Sequence, residues 1–204
     1  MNNYSTYNNW IIISFFTSNY KEIAEKYLLN SLKIQGLPNY VKEVPNFNSW
    51  KQATDYKPVL MAKCLNKFWQ NLIWIDCDAT IDNYPELFDT LSNNPEIDIA
   101  YHNLSWETHY GRPTDKGRFQ FASGTLYFKN NDKIKQLVIN WINNTKIYYP
   151  EQKALHKAII SNKNLNTFEL PRTYLYIATK PNGQPPAQIL ENPIITHYQA
   201  SRKK

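Results

Sequence analysis

The run Leu72-Ile-Trp-Ile-Asp-Cys-Asp78 constrains the fold more than any other stretch of the chain. It opens as an apolar strand and ends by presenting two carboxylates, Asp76 and Asp78, at i and i+2. Side chains alternate faces along a strand, so both carboxylates point the same way where the strand runs out. Open α/β sheets bind ligands at that carboxyl edge. Two hard oxygen donors there suit Mg²⁺ or Mn²⁺ bridging to a diphosphate. The same alternation sends Cys77 to the opposite, buried face. An aspartate pair alone also describes a solvated turn or a helix-capping cluster, so the neighbouring segments have to carry the argument.

Those segments alternate between strand and helix. Trp10-Ile-Ile-Ile-Ser-Phe-Phe16 reads as a buried first strand, followed by a loop at Thr17–Tyr20 that caps a helix over 20–34. Gly36-Leu-Pro38 stops that helix, and 40–44 is a short second strand. The spacing predicts a helix over 55–68 with Pro58 in its first turn. A short helix over 85–91 and a strand over 97–101 follow. A polar loop over 102–117 holds His109, Gly111, Arg112 and Pro113, and a strand over 119–128 contains Ala122-Ser123-Gly124. Helices are expected at 132–143 and from Pro150 onward, strands near 167–170, 174–178 and 194–196, and a basic tail after His197. No internal repeat or linker interrupts this order. The pattern is that of one α/β domain spanning 1–204 with a mostly parallel central sheet flanked by helices and a short basic C-terminal tail.

Composition narrows the partners. No stretch reaches the length of a membrane-spanning helix. The start Met1-Asn-Asn-Tyr-Ser lacks the basic region and cleavage site of a secretory leader, so a cytoplasmic location is expected, the host cytoplasm for a viral chain. Cys64 and Cys77 read as reduced core residues. A net charge of +6 suits a polyanionic partner, a nucleotide diphosphate or a nucleic acid, and Arg202, Lys203 and Lys204 carry part of it. The 15 Tyr and 6 Trp suit pockets that stack on bases or sugars, although they also fill cores.

Taken in order, these pieces resemble a small GT-A-type glycosyltransferase of the nucleotide-diphospho-sugar transferase superfamily, viral-type members included. The resemblance runs from Trp10 to the C-terminus. It rests on the first strand and its Thr17–Tyr20 turn, the Lys57-Pro58 helix, Asp76-Cys-Asp78, Ser123-Gly124, the Pro150-Glu151-Gln152 helix start, and Ile194-Ile-Thr-His197 with Ser201-Arg-Lys. It implies a Rossmann-like fold and a metal held by Asp76, Asp78 and His197, with Mn²⁺ favoured over Mg²⁺ by the histidine. It also implies a nucleotide-diphosphate sugar, a UDP-sugar, as donor. Tyr20 would stack on the base, Asp76 would contact ribose or metal, and Lys57 with Arg202 or Lys203 would neutralise the diphosphate. Ser123, Gly124, Gln152 and Ser201 would complete the donor site. Glu151 would face the sugar or act as base, with Glu107 or Asp115 as substitutes, and His102, His109 and His156 would stand apart.

The expected reaction is therefore metal-dependent sugar transfer to a hydroxyl acceptor. Size, basic charge and aromatic content are compatible with a hydroxymethylated pyrimidine in DNA, and the fold equally accommodates glycan, lipid or protein acceptors. A non-catalytic, basic nucleic-acid-binding α/β module is the competing reading, but it leaves Asp76, Asp78 and His197 without a purpose. A nucleotidyltransferase would carry a glycine-rich phosphate loop, which 14–21 does not supply.

Overall fold

A computed structural model of the protein describes residues 9–105, 119–179, 184, 186 and 188–200. Their central sheet has six strands in the order β2-β1-β3-β6-β5-β7. These are β1 (Trp10–Thr17), β2 (Asn39–Val44), β3 (Asn71–Ile75), β5 (Ile99–Ser105), β6 (Phe119–Phe128) and β7 (Thr167–Glu169). Strand β1 is parallel to β2 and β3, and β5 is parallel to β7; β6 alone runs antiparallel, between β3 and β5. A second sheet joins β4 (Ala79–Ile81), β9 (Ile195–His197) and β8 (Tyr176–Ile177), in that order. Strands near 174–178 and 194–196 are expected from the sequence, but β4 is not, because a strand of three residues carries no readable period.

The unbroken apolar runs of β1 and β3 are explained by cover on both faces. Ile11, Ile13, Leu72 and Trp74 pack under helices 50–67, 132–145 and 151–160. Their strand neighbours Trp10, Ile12, Ile73 and Ile75 face the opposite layer with Leu28, Leu32, Phe88 and Leu91. That layer includes the first helical run, Lys21–Ala24, Glu25–Leu29 and Asn30–Gln35, whose middle segment is π-helical. Gly36 ends the run in the left-handed region, φ 63°, which a residue without Cβ adopts at little cost.

Three local expectations are corrected. The helix predicted over 55–68 is Trp50–Lys67, with Pro58 in its interior. Ser49 caps it by accepting from the Gln52 amide at 3.2 Å, while the Gln52 side chain accepts from the Asn48 amide at 3.0 Å. This Ser-x-x-Gln exchange sets the helix start upstream of the proline. Of the loop expected over 102–117, His102–Ser105 instead continue β5; His109, Gly111, Arg112, Pro113, Glu107 and Asp115 lie outside the described residues. The strand expected over 174–178 is a 3₁₀ turn, Arg172–Tyr174, followed by β8.

Candidate active site

Asp76 is the first residue beyond β3, and strand alternation places it on the same side as Trp74, facing the 50–67 helix. The Trp74 indole N–H donates to Asp76 Oδ1 at 2.7 Å. Lys57, pointing in from that helix, sits 3.0 Å from the same oxygen and 3.1 Å from Glu151 Oε1. Its ammonium also donates to the Ser123 carbonyl at 3.1 Å, and the Ser123 hydroxyl donates to Glu151 Oε1 at 2.7 Å. Lys57 and Glu151 are each only 5% exposed, so both charges depend on this network. Burial alone would lower the Lys57 pKa, but the Asp76 and Glu151 carboxylates outweigh it and push it up to about 12.

The three residues expected to hold a metal lie close together. Asp76, Asp78 and His197 bring one ligand atom each to within 4.8 Å of one another. Oxygen and nitrogen donors at ~2.1 Å from a shared cation would need only a small inward adjustment. The small sheet delivers the histidine: His197 pairs with Ala79 of β4 on one side and Ile177 of β8 on the other. Its Nε2 lies 2.8 Å from the Thr125 hydroxyl. The tautomer with a proton on Nε2 donates to Thr125 and leaves Nδ1 as the ligand, the orienting role usual around metal-bound histidines. Burial holds the imidazole neutral, lowering its pKa to about 4.

Asp78 is held by the segment after β9. Its Oδ2 accepts from the Ala200 amide at 2.7 Å, and its carbonyl accepts from the Tyr198 amide at 3.1 Å. Tyr198 stacks on Tyr27 at 4.4 Å, and Gln199 between the two donors takes φ 49°. Tyr27 projects from the π-helical segment, a distortion found most often at functional places. Burial, reinforced by the Asp76 charge, raises the Asp78 pKa to about 6.

Ser123 and Gly124 fall where the β5–β6 ladder shifts register: Ala100 pairs with Tyr127, yet His102 pairs with Ala122. A Cβ on Gly124 would lie 2.8 Å from His197 Cε1, 3.1 Å from Nδ1 and 3.4 Å from Asp76 Oδ2. Glycine is thus what lets the histidine and the aspartate close on one point.

Lys57, Trp74, Asp76, Asp78, Ser123, Gly124, Glu151 and His197 line one cavity of about 500 Å³ at the carboxyl ends of β1 and β3, together with Tyr20, Trp50 and Gln152. Two expectations change there. Lys57 is no free cation for a diphosphate, since its ammonium is spent on Asp76, Glu151 and Ser123. Cys77 is half-buried and lines the cavity, because β3 ends at Ile75 and its alternation does not extend to residue 77. Burial, then the flanking carboxylates, raises its thiol pKa, so it stays an unreactive thiol. His102 contacts the Leu170 carbonyl and His156 stacks on Phe121, both outside the cavity lining. Ser201, Arg202 and Lys203 lie outside the described residues. Trp74, Thr125 and the Ala200 amide were missed by sequence reasoning; only Trp74, two residues before Asp76 on the same strand, had left a signal.

No protein-family model matches the sequence, and no curated protein matches it. Solved structures do match in fold. A glycosyltransferase involved in the glycosylation of the major capsid of PBCV-1 superposes with a TM-score of 0.67 at 14% identity, over 94% of this chain and 93% of that one. Mouse xyloside xylosyltransferase 1, in its apo form, superposes with a TM-score of 0.55 at 12% identity, over 95% of this chain and 98% of that one. The fold is that of GT-A-type glycosyltransferases, shared along nearly the whole chain.

Proposed function

We propose that this protein is a metal-dependent glycosyltransferase that moves a sugar from a nucleotide-diphosphate sugar to a hydroxyl acceptor. The observation that carries the reading is the convergence of Asp76, Asp78 and His197 at the carboxyl edge of a GT-A-type sheet. Three carboxylates (Asp76, Asp78, Glu151) face one ammonium (Lys57) among the described lining residues, a net charge of −2 with His197 neutral. That deficit matches one divalent ion, and a mixed oxygen and nitrogen donor set favours Mn²⁺ over Mg²⁺. A bound cation supplies the positive charge that offsets a diphosphate as it leaves.

The chain's own residues divide the remaining work. Tyr20, close enough to Asp78 for that charge to act on its hydroxyl, offers a ring for the base, uracil in the proposed UDP-sugar. Arg202 and Lys203, just beyond Ala200, remain the proposed cations for the diphosphate, a role that Lys57 gives up to hold Asp76 and Glu151. Ser123, Gly124, Gln152 and Ser201 complete the donor site. In the transfer, the acceptor oxygen bonds to the anomeric carbon as the bond from that carbon to the diphosphate oxygen breaks. The electron pair leaves on the diphosphate, and the hydroxyl proton passes to Glu151. Among the described lining residues, Glu151 is the one carboxylate outside the metal group.

The test is release of nucleoside diphosphate from a panel of nucleotide sugars with and without Mn²⁺. Turnover that needs the cation supports the reading, and a chelator-resistant rate rejects its metal dependence. Gly124→Ala supplies a sharper check. Its Cβ would displace His197 from Asp76, so Mn²⁺ affinity is expected to fall tenfold or more while the fold persists, the strain costing about 1–3 kcal/mol. Unchanged affinity would remove His197 from the ligand set.

A further inference from the structure

We propose that Tyr27 is a positioning residue for the metal group, its ring bracing Tyr198 so that the His197–Ala200 segment closes on Asp78. This rests on the metal-dependent reading and adds a side chain that acts on the metal group from outside the cavity lining.

Two of the three candidate ligands depend on one short segment. His197 ends β9, and the residues after it turn back onto Asp78. The Tyr198 amide donates to the Asp78 carbonyl at 3.1 Å, and the Ala200 amide donates to Asp78 Oδ2 at 2.7 Å. Between those donors Gln199 takes φ 49°. A residue with a Cβ enters this left-handed region only at a cost, so surrounding contacts have to hold it there. One such contact is a long hydrogen bond, from the Thr179 hydroxyl to the Tyr198 carbonyl at 3.4 Å. Another is the Tyr198 ring, which lies on Tyr27 with centroids 4.4 Å apart and planes inclined by 17°.

The helical run that carries Tyr27 is fixed to the same small sheet at a second point. The Ser31 hydroxyl accepts from the Ile81 amide of β4 at 3.0 Å and donates to the Leu28 carbonyl at 3.0 Å. Leu28 is itself fully buried, in one core layer with Leu32 and Ile73. Strand β4 begins at Ala79, directly after Asp78. Ser31 therefore ties the run to the strand that follows Asp78, and Tyr27 ties it to the segment that follows His197. Tyr27 lies in the π-helical turn Glu25–Leu29. Such turns are rare and recur at functional sites, and here the ring presented to the ligand segment is Tyr27.

Strand pairing holds His197 in β9 whether or not Tyr27 is present. Loss of the stack acts on the turn after it: Gln199 leaves the left-handed region, and the Ala200 amide releases Asp78 Oδ2. The carboxylate then has to be ordered by the ion itself, which weakens binding and leaves the chemistry of the loaded site unchanged.

The experiment reads free Mn²⁺ by electron paramagnetic resonance as the ion is titrated into chelator-treated protein. Tyr27→Ala is expected to bind Mn²⁺ about three- to tenfold more weakly than the parent, the range an aromatic pair supplies. Tyr27→Phe should stay within about twofold of the parent, because the stack needs the ring and not the hydroxyl. Tyr40→Ala is the control. It removes an aromatic contact, to Phe68 at 5.3 Å, at the amino ends of the strands, and should also stay within about twofold. Donor turnover by Tyr27→Ala should recover to near the parent rate at saturating Mn²⁺, which a damaged fold would not allow. Should Tyr27→Ala fail to fold, Tyr27→Leu, with apolar bulk but no flat face, takes its place with the same expectation. Affinity unchanged in Tyr27→Ala, or lost equally in Tyr27→Phe or in Tyr40→Ala, would overturn the proposal and leave the metal reading intact. Absence of Mn²⁺ binding by the parent would remove both.

Discussion

Replacing Lys57 with methionine is expected to lower the thermal unfolding midpoint near neutral pH by roughly 6–12 °C. The substitution keeps an unbranched side chain and removes the ammonium, which stands 3.0 Å from Asp76, 3.1 Å from Glu151 and 5.0 Å from the centre of the Trp74 ring. Breaking a buried ion pair from one side costs about 3–5 kcal/mol, because the partner charge stays desolvated. Here the lower end applies. The Glu151 side chain is 7% exposed, whereas the Asp76 side chain is 37% exposed and recovers solvation. In a domain of this size each kcal/mol moves the midpoint by about 2–4 °C. Calorimetry reads the effect, and a midpoint equal to the parent's would show the network to be slack.

Asp78→Asn is expected to do the reverse to stability while abolishing metal binding. The folded pKa of Asp78 is raised to about 6. For an acid shifted upward, the stabilising contribution is present below the unfolded value and is lost as pH rises through the folded one. At neutral pH the charged carboxylate therefore destabilises the metal-free protein, by up to about 3 kcal/mol for a shift of roughly two units. Asparagine keeps an oxygen for the Ala200 amide and drops the charge. The metal-free variant should melt roughly 3–8 °C higher than the parent at neutral pH, with the gap closing below about pH 4. Its Mn²⁺ affinity should fall at least a hundredfold. In the parent, affinity should decline as pH drops through about 6, where Asp78 protonates, and not at a histidine pKa, since His197 stays neutral down to about 4. A variant that melts lower than the parent would make Asp78 a folding residue.

Strands buried on both faces are legible because their apolar runs have no competing reading, and β1 and β6 fall where the sequence places them. The helix carrying Lys57 was misplaced at its start, because Pro58 reads as a first-turn residue while the Ser49 and Gln52 exchange that sets the boundary lies further upstream. Asp76, Asp78 and His197 were legible through the order of their segments, not through any property of a lone histidine near a basic tail. Lys57 was visible as a charge, but its partners Asp76, Ser123 and Glu151 come from three other segments, and only folding shows that they consume it. Thr125 and the Ala200 amide left no trace in the sequence. A threonine on a buried strand reads as strand propensity, and a backbone donor has no letter of its own.

The most direct measurement is the rate of nucleoside diphosphate release from a UDP-sugar as Mn²⁺ is titrated into chelator-treated protein, with Asp78→Asn alongside. The account predicts no release without the cation, a saturable rise on its addition in the parent, and none in the variant. Release that persists undiminished in chelator, or equal rates in parent and variant, would contradict it.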